Sequence, residues 1–154
     1  MIRVQREIFD VGTEMAKLTK GRTDIGAVVS FTGLVRDFNE GSAVKGFSLE
    51  HYPGMTEREL AKIETEAKAR WDLQASLIIH RYGDMALGEP IVLVVTASPH
   101  RQDAFDAANF LMDWLKTKAP FWKMEKGEDG GASWVKERQT DIDAAKRWSA
   151  DSHE

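Results

Sequence analysis

Two lysines on either side of a proline are the residues of this sequence best suited to chemistry. Lys116 ends an apolar stretch predicted to be helical, and Lys123 follows a Phe-Trp pair just beyond Pro120. Because a helix ends at or before the residue that precedes a proline, the chain bends at Ala119 and delivers the two amines from either side. Apolar neighbours disfavour the charged ammonium, which is one route to a lysine that acts as base or nucleophile near neutral pH. Taken alone, the segment better fits the plainer interpretation that lysines in a last helical turn complement the helix dipole.

A second group of cationic residues stands at the predicted start of the same helix. His100 and Arg101 follow a serine that can cap a helix and a proline that suits its first position. Free backbone N–H groups and the helix dipole favour an anion there, so two cations make sense if a phosphate or carboxylate is shared among them. Arg36 and Arg138, each predicted at the end of a strand, are further candidate anion contacts. For each of these four residues a solvated surface position is the plainer alternative.

The length of that helix decides whether the two groups can form one site. His100 and Lys116 are separated by 16 residues, and a straight helix would hold them roughly 24 Å apart. One small ligand cannot touch both within one chain. Either they belong to two sites, or one site forms at a symmetric interface where the helix start of one subunit meets the helix end of another. We favour the second interpretation.

Composition excludes several classes of protein. With 154 residues, 42% hydrophobic and 30% charged, the chain fits a single globular domain, predicted over residues 1–148 with a frayed tail at 149–154. It has no cysteine, hence no disulfide framework, thiol nucleophile or thiolate metal site. The formal charge of −4 argues against nucleic acid as the main partner. No leader-like or membrane-spanning apolar run is seen, so we expect a cytoplasmic protein.

Periodicity predicts a mixture of strands and helices without a regular βαβ rhythm, which favours an α+β fold. The chain should begin with a strand over 2–9 and a helix capped by Asp10, and a strand over 25–36 should form a hairpin with one over 44–52 across a mobile loop at 37–42. A capping box of Thr56 and Glu59 should start a helix over 56–71. The remaining predictions are strands over 75–82 and 90–97 joined by a turn, a helix over 98–119, a strand pair over 121–125 and 132–138, and a helix over 140–148.

Five segments of the chain resemble one protein family closely and in the same order. They are FTGLVRDFNEG, LEHYPGMTEREL, IIHRYGDMALGEPIVLV, SPHRQDAF and FLMDWLKTKAPFWKME, within residues 31–125. Together they resemble the large, catalytic subunit of molybdopterin synthase, and the resemblance extends from about residue 2 to 148. The combination of LEHYPGMT with LKTKAPFWK is specific, so the plainer interpretations of the two lysines and of the cations near the helix start lose weight.

The resemblance implies an activity and its partners. It implies a sulfur transferase of molybdenum cofactor biosynthesis that converts cyclic pyranopterin monophosphate, or precursor Z, into the dithiolene molybdopterin. Sulfur would arrive on the C-terminal Gly-Gly thiocarboxylate of a small ubiquitin-like partner. A homodimer of the large subunit would form the centre of a heterotetramer, with no metal or organic cofactor. The implied fold is hammerhead-like, with mixed and antiparallel sheets packed on two main helices and a small additional antiparallel β subdomain.

The resemblance also implies roles for single residues. Lys116 and Lys123 would be catalytic, while Arg36, His100 and Arg101 would bind the substrate. The residues lining the channel for the partner's tail would be Phe31, Met112 and Arg138. Which lysine is the base stays open. Two other classes also stay open, namely an adaptor that only docks a ubiquitin-like tail and a phosphate-binding regulatory domain.

The remaining titratable residues have plainer interpretations. His51 and His80 lie in predicted strands and are interpreted as structural, since a metal site would need a third clustered ligand. Glu50 and Glu89 are interpreted as solvated or ion-paired.

Overall fold

The computed structural model of this chain describes residues 1–36, 38–39, 42–127, 132–134 and 139–149. Its helices are α1 (Val11–Thr19), α2 (Met55–Arg70), α3 (Arg101–Thr117) and α4 (Gln139–Lys146). Its strands are β1 (Ile2–Gln5), β2 (Ala27–Leu34), β3 (Phe38–Asn39), β4 (Ser42–His51), β5 (Ala75–Arg81), β6 (Gly83–Ala86), β7 (Pro90–Ser98), β8 (Phe121–Gly127) and β9 (Ala132–Trp134). None of the helices in these ranges is long and apolar enough to cross a membrane.

The main sheet has four strands in the order β1-β5-β7-β2. Strand β1 runs parallel to β5, and the other two pairings are antiparallel. The continuously apolar β7 lies inside the sheet, where Leu93, Val94 and Val95 are fully buried. A continuously apolar run of this length is typical of a strand buried on both faces.

Alternate residues of the main sheet supply two separate cores, because side chains along a strand point to opposite faces. One face carries Ile78, Val92 and Val94 against α2 and α3. The other face carries Leu77, Ile79, Leu93 and Val95 against Phe9 and the apolar side of α1. The sheet is therefore covered by α2 and α3 on one side and by α1 on the other.

The smaller sheet is built around β4, which pairs antiparallel with β3, β6 and β8, while β8 also pairs with β9. Its core is a cluster of Val35, Phe47, Leu49 and Met85. The two sheets and four helices confirm the α+β prediction, including the additional antiparallel β unit. The predicted pairing of β8 with β9 is also confirmed, while residues 135–138 of that prediction lie outside the described part of the chain.

The predicted hairpin between the second and fourth strands is wrong. Strand β2 pairs with β7 in the main sheet, whereas β4 belongs to the smaller sheet. Part of the predicted mobile loop is the short strand β3, in which Phe38 and Asn39 pair with the start of β4. The turn predicted between β5 and β7 likewise contains β6, which pairs with β4. Alternation identified the long strands but not their partners, which depend on contacts distant in sequence.

Two predicted helix starts are displaced by backbone context. The N-cap of α2 is Gly54, whose N–H donates to the Glu57 carboxylate at 2.6 Å. Thr56 is instead fully buried, and its hydroxyl bonds both the N–H and the carbonyl of Tyr52. Helix α3 starts at Arg101 with His100 as N-cap, because Ser98 is still the last residue of β7. The Asp10 cap is confirmed, since its carboxylate accepts the Thr13 N–H at 2.8 Å.

Candidate functional site

The bend between α3 and β8 brings Lys116 and Lys123 to one end of the main sheet. Lys116 lies in the last turn of α3, which ends three residues before Pro120. Lys123 lies on β8 opposite Leu49, and its ammonium nitrogen is 5.7 Å from the centre of the Phe47 ring. Lys123 is half-buried and Lys116 is exposed. The enclosure expected from the apolar neighbours is therefore present at Lys123 only.

A buried histidine lies beneath this bend. The His80 ring stacks on Phe121 with centroids 3.8 Å apart and an angle of 16°. Its Nδ1 is 2.9 Å from the Arg81 carbonyl oxygen, and since a carbonyl only accepts, Nδ1 carries the proton and Nε2 is left as an acceptor. Burial lowers the pKa of His80 to about 4, with the charges of Lys123, Lys116 and His51 acting in the same direction. The imidazole is therefore neutral at pH 7, with both lysine charges close to it.

The neighbouring Arg81 anchors this end of the sheet. Its guanidinium is buried and donates to the carbonyl oxygens of Arg6 and Pro90 at 2.9 and 2.7 Å. It also forms an ion pair with Glu89 at 3.1 Å. Glu89 is thus paired, as one of the two sequence interpretations held, and Glu50 is exposed.

Phe31 and Met112 lie along the outer side of α3, next to the edge strand β2. Phe31 is opposite Val94, so it shares the sheet face that carries α3, and its side chain is 42% exposed. Met112 precedes Lys116 by one helical turn, so the two share one side of α3, and the Met112 side chain is half-buried against the core cluster between the main sheet and the helices. Helix geometry therefore puts Met112 on the side of α3 that carries Lys116, while Phe31 lies on the sheet face that α3 covers. Arg138, the third predicted channel residue, lies outside the described residues.

The predicted anion-binding residues lie at opposite ends of the main sheet. His100 and Arg101 are exposed at the start of α3, directly after the end of β7. Arg36 is exposed two residues beyond the end of β2, and since Leu34 pairs with Pro90, this is the end at which β7 begins. An eight-residue strand spans about 26 Å. Within one chain Arg36 is therefore near the end of α3 and Lys116, and far from His100 and Arg101.

The continuous course of α3 supports the separation expected from sequence. The helix runs from Arg101 to Thr117 without interruption, which keeps His100 and Lys116 roughly 24 Å apart. Because Leu111 and Leu115 pack against Val92 in one core cluster, α3 runs back along β7. A single small ligand cannot reach both groups in one chain.

Gly26 fixes the start of α3. Its N–H donates to the Ser98 carbonyl at 3.0 Å, and a Cβ at this position would lie 2.1 Å from the Pro99 carbonyl oxygen. We expect Gly26→Ala to displace Pro99 and His100 and to lower the free energy of unfolding by about 1–3 kcal/mol. Urea unfolding measures the loss, and the ring signals of His100 in NMR spectra report the displacement.

Gly12→Ala is the matched control for that substitution. A Cβ at Gly12 would meet nothing nearer than the Asp10 carboxylate at 3.5 Å, and alanine is the better residue inside a helix. We expect this variant to be as stable as the wild type or more so, with unchanged His100 signals. Equal behaviour of the two variants would show that the contact between Gly26 and Pro99 carries no constraint.

Sequence reasoning missed the roles of His80, Phe121 and Gly26 at this site. The spacing of His80 from Ile78 places both on the same face of β5, so its burial could be inferred. Its stacking on Phe121 joins residues 41 positions apart, and no local signal predicts such a contact. Gly26 offers no signal beyond being a glycine next to a strand.

Two other features bear on ligand binding. A cavity of about 260 Å³ lies on the opposite side of α3, between α2, α3 and α4, and is lined among others by Arg70, Trp114 and Trp148. It is separate from the side of α3 that carries Lys116.

Within the described residues, no three His, Asp or Glu side chains are clustered closely enough to hold a metal ion.

The chain was compared with known protein families, relatives and solved structures. The MoaE protein family matches residues 4–118. The molybdopterin synthase catalytic subunit of Mesorhizobium japonicum is 57% identical over 152 residues, covering 98% of this chain and 94% of the relative. The molybdopterin biosynthesis MoaE protein from Burkholderia ambifaria MC40-6 is 46% identical, with a TM-score of 0.82 over 97% of both chains.

A more distant structure, molybdopterin synthase from Staphylococcus aureus, is 31% identical, with a TM-score of 0.79 over 87% of this chain and 96% of that one. These matches cover nearly the whole chain and confirm the resemblance seen in the sequence segments. The protein therefore belongs to the MoaE family of molybdopterin synthase catalytic subunits.

Proposed function

We propose that this chain transfers sulfur to cyclic pyranopterin monophosphate and so produces molybdopterin for molybdenum cofactor biosynthesis. The main support is that this chain belongs to the family and carries Lys116 and Lys123 on either side of the bend between α3 and β8, next to the buried, neutral ring of His80. The relatives' name, catalytic subunit, supports an enzyme that works with another subunit. We therefore propose that the chain acts as the central homodimer of a heterotetramer.

The chain has no side chain that could itself carry the sulfur. Sulfur must reach a substrate carbon as a nucleophile while an oxygen leaves, and this must occur twice to make a dithiolene. The sequence contains no cysteine, so no side-chain thiol can carry the sulfur. On the basis of the family resemblance, we assign that task to the C-terminal Gly-Gly thiocarboxylate of a small ubiquitin-like partner. The chain's own contribution is positioning, stabilisation of charge and movement of protons.

The two lysines differ in setting and so in proposed role. Lys116 is exposed and one turn beyond Met112, which suits direct contact with the incoming thiocarboxylate. Lys123 is half-buried and held over Phe47, which suits a fixed ammonium that polarises the substrate or moves a proton. Phe31 and Met112 supply apolar walls for a glycine tail, and the sequence resemblance adds Arg138 to that channel.

The substrate phosphate is proposed to bind between subunits. Arg36 lies at the lysine end of its own chain, while His100 and Arg101 lie at the far end of α3. A two-fold axis that places the start of one α3 beside the end of the other would unite all three cations with Lys116. A phosphate is well matched by two arginines and a helix N-terminus.

Single-turnover sulfur transfer with a thiocarboxylated partner and precursor tests the proposal. Arginine keeps the charge of lysine but does not lose its proton near neutral pH. We expect Lys116→Arg or Lys123→Arg to abolish the pH-dependent rise in rate, according to which amine moves the proton. The nearby exposed Lys118→Arg is the control and should behave as wild type.

Two results would count against this assignment. Full activity in both lysine variants would remove any acid or base role for either amine. Tight binding of the partner without dithiolene product from the wild-type protein would instead indicate an adaptor that only docks the tail.

A cytoplasmic location and a single domain over residues 1–148 stay predictions. One cooperative unfolding transition, seen equally by circular dichroism and by tryptophan fluorescence, is expected for a single domain. Two separated transitions would contradict it.

A further inference from the structure

His80 occupies the end of the sheet face on which α3 lies. It pairs with Val92 on β7 and follows Ile78 by two residues on β5, so all three share that face. Its side chain is only 8% exposed. The segment that joins α3 to β8 passes directly over it, because the ring of Phe121, the first residue of β8, is stacked on the imidazole. His80 thus forms the floor of the bend.

One buried hydrogen bond, to a residue that is itself fixed, holds the His80 ring in its orientation. The Nδ1–H of His80 donates to the Arg81 carbonyl at 2.9 Å. Arg81 is itself fixed by the Glu89 carboxylate and the Pro90 carbonyl oxygen. The His51 ring lies 5.9 Å from Phe121 and 4.5 Å from Tyr82, which continues the aromatic cluster. The imidazole therefore cannot turn without breaking a buried hydrogen bond.

Phe121 lies in the chain between the two lysines. Lys123 is two residues further along β8, on the same face of that strand. Lys116 is joined to Phe121 by a short segment that contains Pro120, and the Phe121 N–H donates to the Ala119 carbonyl at 2.8 Å. A tilt of the Phe121 ring would change the angle between α3 and β8, and with it the relative position of the two amines.

The chemical character of the floor also matters. The charges of Lys116 and Lys123 both act on His80, so a cation at this position would be repelled by two others. A neutral imidazole gives a flat polarizable surface that excludes water and adds no third positive charge. Its Nδ1–H satisfies a buried carbonyl, which a phenyl ring cannot do.

We propose that His80 is a positioning residue for sulfur transfer, because its ring, stacked on Phe121, fixes the bend that sets the arrangement of Lys116 and Lys123. The proposal rests on the function proposed above for the two lysines. It concerns placement only, and His80 need not touch the substrate.

The test compares single-turnover sulfur transfer at saturating partner and precursor, well below each variant's unfolding temperature. We expect His80→Ala to slow the reaction by about tenfold to hundredfold, because small misplacements of catalytic groups have effects of this size. When the precursor concentration is varied, the concentration that gives half the maximal rate should be unchanged. His80→Phe keeps a flat ring for stacking and should stay within about threefold of the wild type. If His80→Ala does not fold, Phe121→Leu removes the stack from the other side and should show the same loss.

Ile78→Ala is the matched control, since Ile78 is fully buried on the same face of β5 but packs in the core beneath α2 and α3. It should lower the unfolding temperature without slowing the reaction. An equal slowing in Ile78→Ala, or a His80→Phe variant as slow as His80→Ala, would overturn the positioning role. So would a normal rate in both His80→Ala and Phe121→Leu. Failure of the proposed function is distinguishable, because the wild-type protein would then give no dithiolene product. Failure of the proposed lysine roles alone would leave Lys116→Ala and Lys123→Ala active.

Discussion

A mixture of two inactive variants, His100→Ala and Lys116→Ala, should regain about one quarter of the wild-type sulfur-transfer activity if the site is shared across a two-fold axis. Each variant alone should lose roughly two to three orders of magnitude in rate, since each removes a polar group that is proposed to hold the substrate or the sulfur donor at the reacting centre. In a mixed dimer, one site lacks both residues and the other has both intact. Random pairing makes half of all dimers mixed, and each of these has one working site out of two.

The structure supplies a matched negative control for this experiment. Arg36 lies at the same end of its chain as Lys116, so both are expected to serve the same site. A mixture of Arg36→Ala and Lys116→Ala should therefore stay inactive. Purification of the mixed dimers through two different affinity tags raises the expected recovery to about one half. No recovery with His100→Ala would show that the two ends of α3 serve separate sites.

Periodicity and turn chemistry predicted the elements that position the lysines. The buried strand β7, the helices α2 and α3 and the end of α3 before Pro120 follow from local patterns, because burial and proline geometry act locally. The Asp10 cap of α1 was also predictable. The approximate distance between His100 and Lys116 followed from helix geometry alone, and the uninterrupted α3 agrees with it.

The pairing of β4 and the two displaced helix starts depend on contacts that sequence patterns do not encode. Thr56 has the residue type of a helix cap, yet its hydroxyl is used within the buried turn after β4. Ser98 likewise remains in β7, where Ala27 pairs with it. A local pattern shows that a residue such as Thr56 or Ser98 can cap a helix, but tertiary contacts determine whether it does so.

The contact of His80 with Phe121 could not be predicted from the sequence either. His80 in a strand was interpreted as structural, and the structure agrees that it is buried. What the sequence did not show is that its ring lies against Phe121, so that the residue between the two lysines rests on it. The position of Arg36 was equally hidden, since it depends on the antiparallel pairing of β2 with β7.

The second large effect concerns acid stability. The pKa of His80 is lowered by burial from 6.5 to about 4 in the folded protein. Between these two values the unfolded state binds more protons than the folded state, so stability rises with pH. The stabilising contribution is fully present above pH 6.5 and is lost as the pH falls through 4. Relative to a variant that lacks the imidazole, the free energy of unfolding of the wild type should fall by about 3 kcal/mol more between pH 7 and pH 4.

His80→Phe isolates that contribution. At pH 7 the variant should be less stable by about 1–3 kcal/mol, because the Arg81 carbonyl loses its donor. Toward pH 4 its urea-unfolding free energy should fall less steeply than that of the wild type, so the two curves converge. Glu14, whose pKa is lowered by its hydrogen bond from Arg3, and Asp10, whose pKa is lowered by the Thr13 N–H, also destabilise the acid form. Both proteins contain Glu14 and Asp10, so the effects of these two groups cancel in the difference between wild type and variant. Parallel plots of unfolding free energy against pH would mean that His80 is not held neutral by its burial beneath the bend.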